Sequence, residues 1–190
     1  MDDLIEIRWH GRGGQGVVTA GKLLAETALG TGRYFQAFPD YGPERMGAPI
    51  RAFTRLSPRP IALHAQIERP DVVVVLDPTL LGSVPVAEGL KEDGYLVVNT
   101  ALSPADVRQQ TGFATGHVFT VDASHIAIDE MGREVTNTPM LGALARATAI
   151  FDLDELAEQL RAWFAPRIAA GAVEANVRAL HRAAAELQRG

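Results

Sequence analysis

The run HGRGGQG at residues 10–16 sets a cation, Arg12, and an amide, Gln15, among four glycines, Gly11, Gly13, Gly14 and Gly16. Glycines in a turn between a strand and a helix let backbone N–H groups approach an anion closely. Gly11, Gly13 and Gly16 have the G-x-G-x-x-G spacing of dinucleotide sites. Such a site also needs an acid about 20 residues on, at the end of the second strand, to hold the ribose hydroxyls. Those positions here are Tyr34, Phe35, Gln36 and Ala37, and the nearest acid, Asp40, follows Pro39 in the next loop. No G-K-[S/T] follows the glycines, which excludes a P-loop. Two readings stay open: a free-standing nucleotide- or phosphate-binding module, and a tight crossing that needs glycine but no ligand.

Other residues of chemical interest cluster by topology. The loop YGPERMG (41–47) follows the second strand, and Asp77, Asn99 and Asp122 each close a later one. In a parallel sheet these positions share the carboxyl edge, where α/β proteins bind ligands. Asp77, before Pro78, and Asp122 are explained more simply as helix N-caps. His10 adjoins the glycine loop and is a candidate for meeting a ligand. The other four histidines have no metal-ligand spacing, and G-x-S-x-G is absent. The chain has no cysteine, so it supplies no thiol nucleophile, disulfide or thiolate for an iron–sulfur cluster. No catalytic residue and no metal site are assigned.

Composition narrows the class. A net charge of −5 argues against general nucleic-acid binding, which runs on phosphate neutralisation. No stretch approaches the ~18 apolar residues of a membrane span. The acidic start MDDLIEI is unlike a secretion signal, so a cytoplasmic location is expected. Basic residues are arginines except for Lys22 and Lys91.

The elements that must position the glycine loop read in order. LIEIRW (4–9) alternates as a strand, Val17 to Leu29 suits a helix, and strands follow at 33–38 and 50–55, the latter able to run antiparallel. DVVVVLD (71–77), GYLVVNT (94–100) and HVFTVDA (117–123) read as strands buried on both faces, with helical stretches between. Thr138 before Pro139 predicts a helix start, Asp152 with Glu155 another, and Pro166 a stop. Val173, Val177, Leu180, Ala184 and Leu187 form a narrow apolar seam on the last helix, suited to covering the chain's own sheet or, as the alternative, to docking on a partner helix. The expectation is one domain over 1–190: a three-layer α/β/α sandwich with a mixed, mainly parallel sheet, Rossmann-like at its N-terminus and helical at its C-terminus.

HGRGGQGVVTAGKLLAETA, FPDYGPERMGAP, a strand ending at SPRPI, DVVVVLD and NTPMLGA, in that order, resemble the gamma subunit of 2-oxoacid:ferredoxin oxidoreductases, most like pyruvate-type members. The resemblance covers about residues 4–185 and implies one subunit of an enzyme, inactive alone, converting a 2-oxoacid, coenzyme A and oxidised ferredoxin into acyl-CoA, CO2 and reduced ferredoxin. It implies thiamine diphosphate with magnesium between alpha and beta parts, and [4Fe-4S] clusters in beta and delta parts. The gamma part carries no cofactor and helps build the active-site and coenzyme A region, within a hetero-oligomer that can be a dimer of the whole set. The family also includes enzymes for aromatic and other 2-oxoacids, and some relatives reach NAD through a flavoprotein. Carried onto this chain, the active-site wall comprises Gly11, Arg12, Gly13, Gly14, Gln15 and Gly16, then Tyr41, Gly42, Pro43, Glu44 and Arg45, and Asn137.

Overall fold

The computed structural model describes residues 4–30, 32–40 and 47–190, without the side chains of 27–30. Val72–Val75 form β4, the centre of the sheet, and all four side chains are fully buried. β-Branched residues pack well on a pleated surface covered on both faces. β5 (Tyr95–Asn99) and β6 (His117–Val121) lie parallel beside it. On the other flank β1 (Ile5–Arg12) pairs parallel with β4 and antiparallel with β3 (Pro49–Ser57), while β2 (Tyr34–Asp40) takes the outer edge. The order β2-β3-β1-β4-β5-β6-β7 is the mixed, mainly parallel sheet that the patterning predicts. β7 (Gln188–Arg189), antiparallel to β6, is not legible in the sequence: two polar residues carry no periodicity.

The two faces are covered unequally. α1 (Val17–Gly30), α3 (Ala123–Met131), α4 (Asn137–Thr148), α5 (Leu153–Phe164) and α6 (Ala170–Ala185) build the larger core with Ile7, Trp9, Val72, Val74 and Val97. α2 (Pro104–Thr111) covers the opposite face over Val73, Val75, Leu96 and Val98. The expected helix between β4 and β5 is absent: only a 3-10 turn, Pro78–Leu80, forms there. Gly82, Pro85 and Gly89 account for that, because each breaks helix propagation. The irregular carbonyls that result need donors. Arg8 supplies them, donating to Val86 O at 3.0 Å and to Glu88 O.

Arg8 belongs to a buried polar layer under β1 and β3. Its Nε donates to His10 Nε2 at 3.0 Å, so His10 is neutral with its proton on Nδ1. Burial, with the charges of Arg8 and Arg51, pushes the His10 imidazole down to about 3, while burial and Arg51 push Arg8 down to about 10 despite Glu88. Arg55, only 2% exposed, binds Glu6 at 2.8 Å and the carbonyls of Leu63 and Ala65. His10 is therefore a core residue, not the ligand-facing candidate that its place beside the glycines suggested.

At the C-terminal half two further expectations shift. α4 begins at Asn137, one residue before the expected cap, and Thr138 instead donates from Oγ1 to Asn176 Oδ1 at 2.9 Å. Pro139 still lies in the first turn, where its missing N–H costs nothing. The apolar seam ends with the helix at Ala185, so Leu187 packs from beyond it, and α6 lies on α4, α3 and α5 rather than directly on the sheet that its seam was suited to cover. Asp152 caps α5, accepting from the backbone N–H of Asp154 and Glu155.

α6 crosses α4 so closely that a Cβ on Gly142 would fall on the Leu180 carbonyl oxygen. Gly142→Ala should therefore destabilise the chain by about 1–3 kcal/mol through overpacking. Urea unfolding checks this: the midpoint falls while the m-value stays constant.

Candidate functional site

The chain leaves β1 towards one edge of the sheet through α1 and leaves β4 towards the other through β5, so β1 and β4 flank the switch point. Crevices at the carboxyl ends of strands on either side of such a point are the ligand-binding positions of open α/β sheets. The glycine loop closes β1 there, and Asp77 closes β4. Leu76 N donates to His10 O at 2.8 Å and holds the two strand ends in register.

The glycines are required by the turn itself. Gly14 and Gly16 have φ of 95° and 76°, a region that side chains disfavour. A Cβ on Gly11 would lie 2.5 Å from Val17 Cγ2, and one on Gly16 3.3 Å from Asn137 Nδ2. The loop also satisfies its own backbone. Arg12 N donates to Gln15 Oε1 at 2.7 Å, Gly13 N to Ala48 O at 3.2 Å, and Gln15 N to Arg12 O at 3.1 Å. A phosphate cradle uses such N–H groups on the ligand, whereas those of Arg12 and Gly13 face inward. Asp40, the nearest acid for a ribose, closes β2, and β3 separates it from β1. It pairs with Arg51 at 2.6 Å and accepts from Gln66 at 2.8 Å.

Asp77 gathers the side chains. Its Oδ2 accepts from Arg12 Nε at 3.1 Å and Gln15 Nε2 at 2.7 Å; its Oδ1 accepts from Thr79 N at 2.9 Å and Thr79 Oγ1 at 2.6 Å. Burial alone would push this carboxyl up, but hydrogen bonds from Thr79 and Gln15 and the Arg12 charge outweigh it and hold the pKa below the usual value. Arg12 also reaches Thr79 Oγ1 from Nη2 at 2.9 Å and Gly47 O from Nη1 at 3.0 Å. The N-cap role expected of Asp77 is real, and so is the one expected of Asp122, which accepts from His125 N. The capping role uses only one of Asp77's oxygens.

Beside this cluster lies a cleft of about 300 Å³ lined by Gln15, Leu76, Asp77, Pro78, Thr79, Glu134 and Thr136. Asn99 is tied to two of the lining residues: its Nδ2 donates to Leu76 O at 2.8 Å and to Ser124 Oγ at 3.0 Å, and Ser124 Oγ donates to Glu134 at 2.8 Å. Asn137, 8% exposed, accepts from Thr138 N and touches Gly16. Arg12, Gln15 and Asn137 thus meet at one edge. Tyr41, Gly42, Pro43, Glu44 and Arg45 lie outside the described residues, although Asp40 and Gly47, which flank them, lie on that edge. Thr79, Ser124, Glu134 and Thr136 were missed in the sequence; only the D-P-T after a buried strand signals Thr79.

The cluster offers oriented hydrogen-bonding groups, one carboxylate hub and the N-terminal end of α1, whose first N–H groups have no partner inside the helix. Among the described residues no group of three His, Cys, Asp or Glu could hold a metal, and no helix is long and apolar enough to cross a membrane.

The chain is an α/β subunit of the oxoacid oxidoreductases: residues 6–186 match the family described as pyruvate ferredoxin/flavodoxin oxidoreductase, and the chain belongs to that family. It is 49% identical to pyruvate synthase subunit PorC of Thermotoga maritima, over 96% of this chain and 94% of that one. It is 48% identical to the pyruvate/ketoisovalerate oxidoreductases common subunit gamma of Thermococcus kodakarensis, over 85% and 87%. The crystal structure of a pyruvate oxidoreductase subunit PORC from Thermotoga maritima superposes with a TM-score of 0.88 at 46% identity, covering 100% of this chain and 99% of that one.

The depressed Asp77 pKa fixes a sign for acid behaviour. A carboxyl whose pKa is lower folded than unfolded stabilises the fold above its unfolded value, about 3.9, and loses that contribution as pH falls through the folded value. The Tm gap between wild type and Asp77→Asn should be widest above about pH 5 and narrow progressively as pH falls below the unfolded value and through the folded one. Thermal melts across that range check it; a gap that widens on acidification contradicts the assignment.

Proposed function

We propose that this chain, acting as one domain over residues 1–190, is the gamma subunit of a pyruvate-type 2-oxoacid:ferredoxin oxidoreductase. The observation that carries the reading is its near full-length correspondence to a pyruvate synthase subunit, over 183 residues. The overall reaction joins the acyl group of the 2-oxoacid to coenzyme A, releases CO2 and passes two electrons to ferredoxin. Thiamine diphosphate with magnesium supplies the decarboxylation chemistry in the alpha and beta subunits, and [4Fe-4S] clusters in beta and delta carry the electrons. A chain without cysteine fits neither cluster ligation nor a thiol relay. The enzyme works in the cytoplasm as a hetero-oligomer.

Within it, the glycine-loop edge is one wall of a site that other subunits complete. Gly11, Gly13, Gly14 and Gly16 shape the wall, and Gln15 and Asn137 set polar groups on it. Arg12 and Arg45 help guide the phosphates of coenzyme A, and Tyr41, Gly42, Pro43 and Glu44 share the motif that the family resemblance assigns to this wall. Guanidinium groups suit those phosphates because they present paired donors to planar or tetrahedral oxyanions. The inward use of the Arg12 and Gly13 N–H groups favours this wall over a free-standing nucleotide site.

Purified alone, the chain should show no pyruvate- and coenzyme A-dependent reduction of ferredoxin, and the assembled complex should show it. In the complex, Arg45→Ala should raise the KM for coenzyme A about tenfold, the loss of one charge-assisted hydrogen bond, and leave the pyruvate KM unchanged. Activity of the isolated chain, or equal effects on both substrates, would overturn the reading. A rise in Tm of the isolated chain with NAD or a nucleotide would favour the binding-module alternative.

A further inference from the structure

We propose that Asp77 is the positioning residue of this wall: through Oδ2 it holds the Arg12 guanidinium in one orientation and ties three separate segments together. This rests on the reading of the glycine loop as the wall facing coenzyme A.

An N-cap needs one acceptor oxygen, and Thr79 N supplies the donor at Oδ1. Oδ2 is left for another task, and it takes Arg12 and Gln15, residues 65 and 62 positions away in sequence. Asp77 is itself 6% exposed, so its charge depends on those donors for solvation. Arg12, in turn, is no loose tether. All three of its guanidinium nitrogens have protein partners: Nε on Asp77 and Thr79, Nη2 on Thr79, and Nη1 on Gly47 O.

The clasp therefore spans the end of β1, the turn after β4, and the point where the chain re-enters β3 from residues 41–46. Gly13 N on Ala48 O runs alongside it as a second tie to the same point. Thr79 Oγ1 is the relay: it donates to Asp77 Oδ1 and accepts from Arg12. The outcome is a cation whose direction is set before any anion arrives and whose charge is partly balanced from beneath. Pre-orientation of this kind lowers the ordering cost of binding.

The test uses the assembled complex with Arg12→Ala, Asp77→Asn, the double variant, Thr79→Val and Thr79→Ser. Arg12→Ala and Asp77→Asn should each raise the coenzyme A KM about tenfold, and the double variant should be no worse than either, because both break one unit. Thr79→Val should behave like Asp77→Asn, and Thr79→Ser, which keeps the hydroxyl, should restore the wild-type KM. The pyruvate KM and kcat should stay within about twofold throughout. A KM raised by Arg12→Ala but not by Asp77→Asn, or factors that multiply to about a hundredfold, overturns the positioning role and leaves the coenzyme A wall standing. A coenzyme A KM unmoved by either variant removes the wall reading and the positioning role with it. An independent readout is the Arg12 Nε–H resonance of the labelled full chain, slow to exchange in the wild type and fast in Asp77→Asn; fast exchange in both overturns the clasp whatever the kinetics.

Discussion

Asp77 receives hydrogen bonds from Arg12, Gln15 and Thr79 at the point where β1 and β4 end side by side. Its position follows from the strand behind it. Val72–Val75 are buried on both faces, so β4 cannot slide or flip without exposing a full row of β-branched side chains. The strand accordingly delivers its next polar residue to a fixed place. A buried carboxylate there is costly unless it is fully bonded. The neighbouring loop meets that demand, and the glycine turn, the 3-10 turn and the re-entry to β3 become one assembly.

The glycines take on a different meaning in this setting. Positive φ at Gly14 and Gly16, and the close approach of Val17 to Gly11, are needed to bring α1 off the end of β1. Once that turn is made, Arg12 N and Gly13 N find partners within the protein. The features that look like a dinucleotide signature are thus also those that a compact crossing requires. What such an edge presents outward is side chains: Gln15, Thr79 and Glu134 around a polar cleft, with the buried Thr136 in its lining.

The preference for arginine also has a structural basis at particular places. Arg8 and Arg55 are buried, and each bonds backbone carbonyls of segments that are neither helix nor strand. Arg108 does the same at the C-terminal side of α2, reaching the carbonyls of Thr115, Gly116 and Gly190. A planar guanidinium with several directed donors can satisfy scattered carbonyls, whereas an ammonium offers a point charge. Long irregular connections therefore remain compatible with a dry interior.

Much of this architecture is written in short-range signals. The apolar runs of β4, β5 and β6, the cap at Asp152, the turn glycines and the absence of cysteine each depend on a residue and its near neighbours. Those signals were enough for the fold class, for the tight crossing from β1 to α1, and for the motif set that marks the family. Other features had no local trace. Nothing near Leu187 announces β7, the alternation of residues 4–9 hides that both of its faces are buried, and the gap between β4 and β5 is long enough for a helix that its glycines and proline prevent. Asp77 read alone is an N-cap. Only the sheet order, which sets β1 between β3 and β4, brings Arg12 and Gln15 to its second oxygen. That pairing spans more than sixty residues and exists because packing the whole sheet decides which strand ends meet, a choice no single stretch of sequence contains.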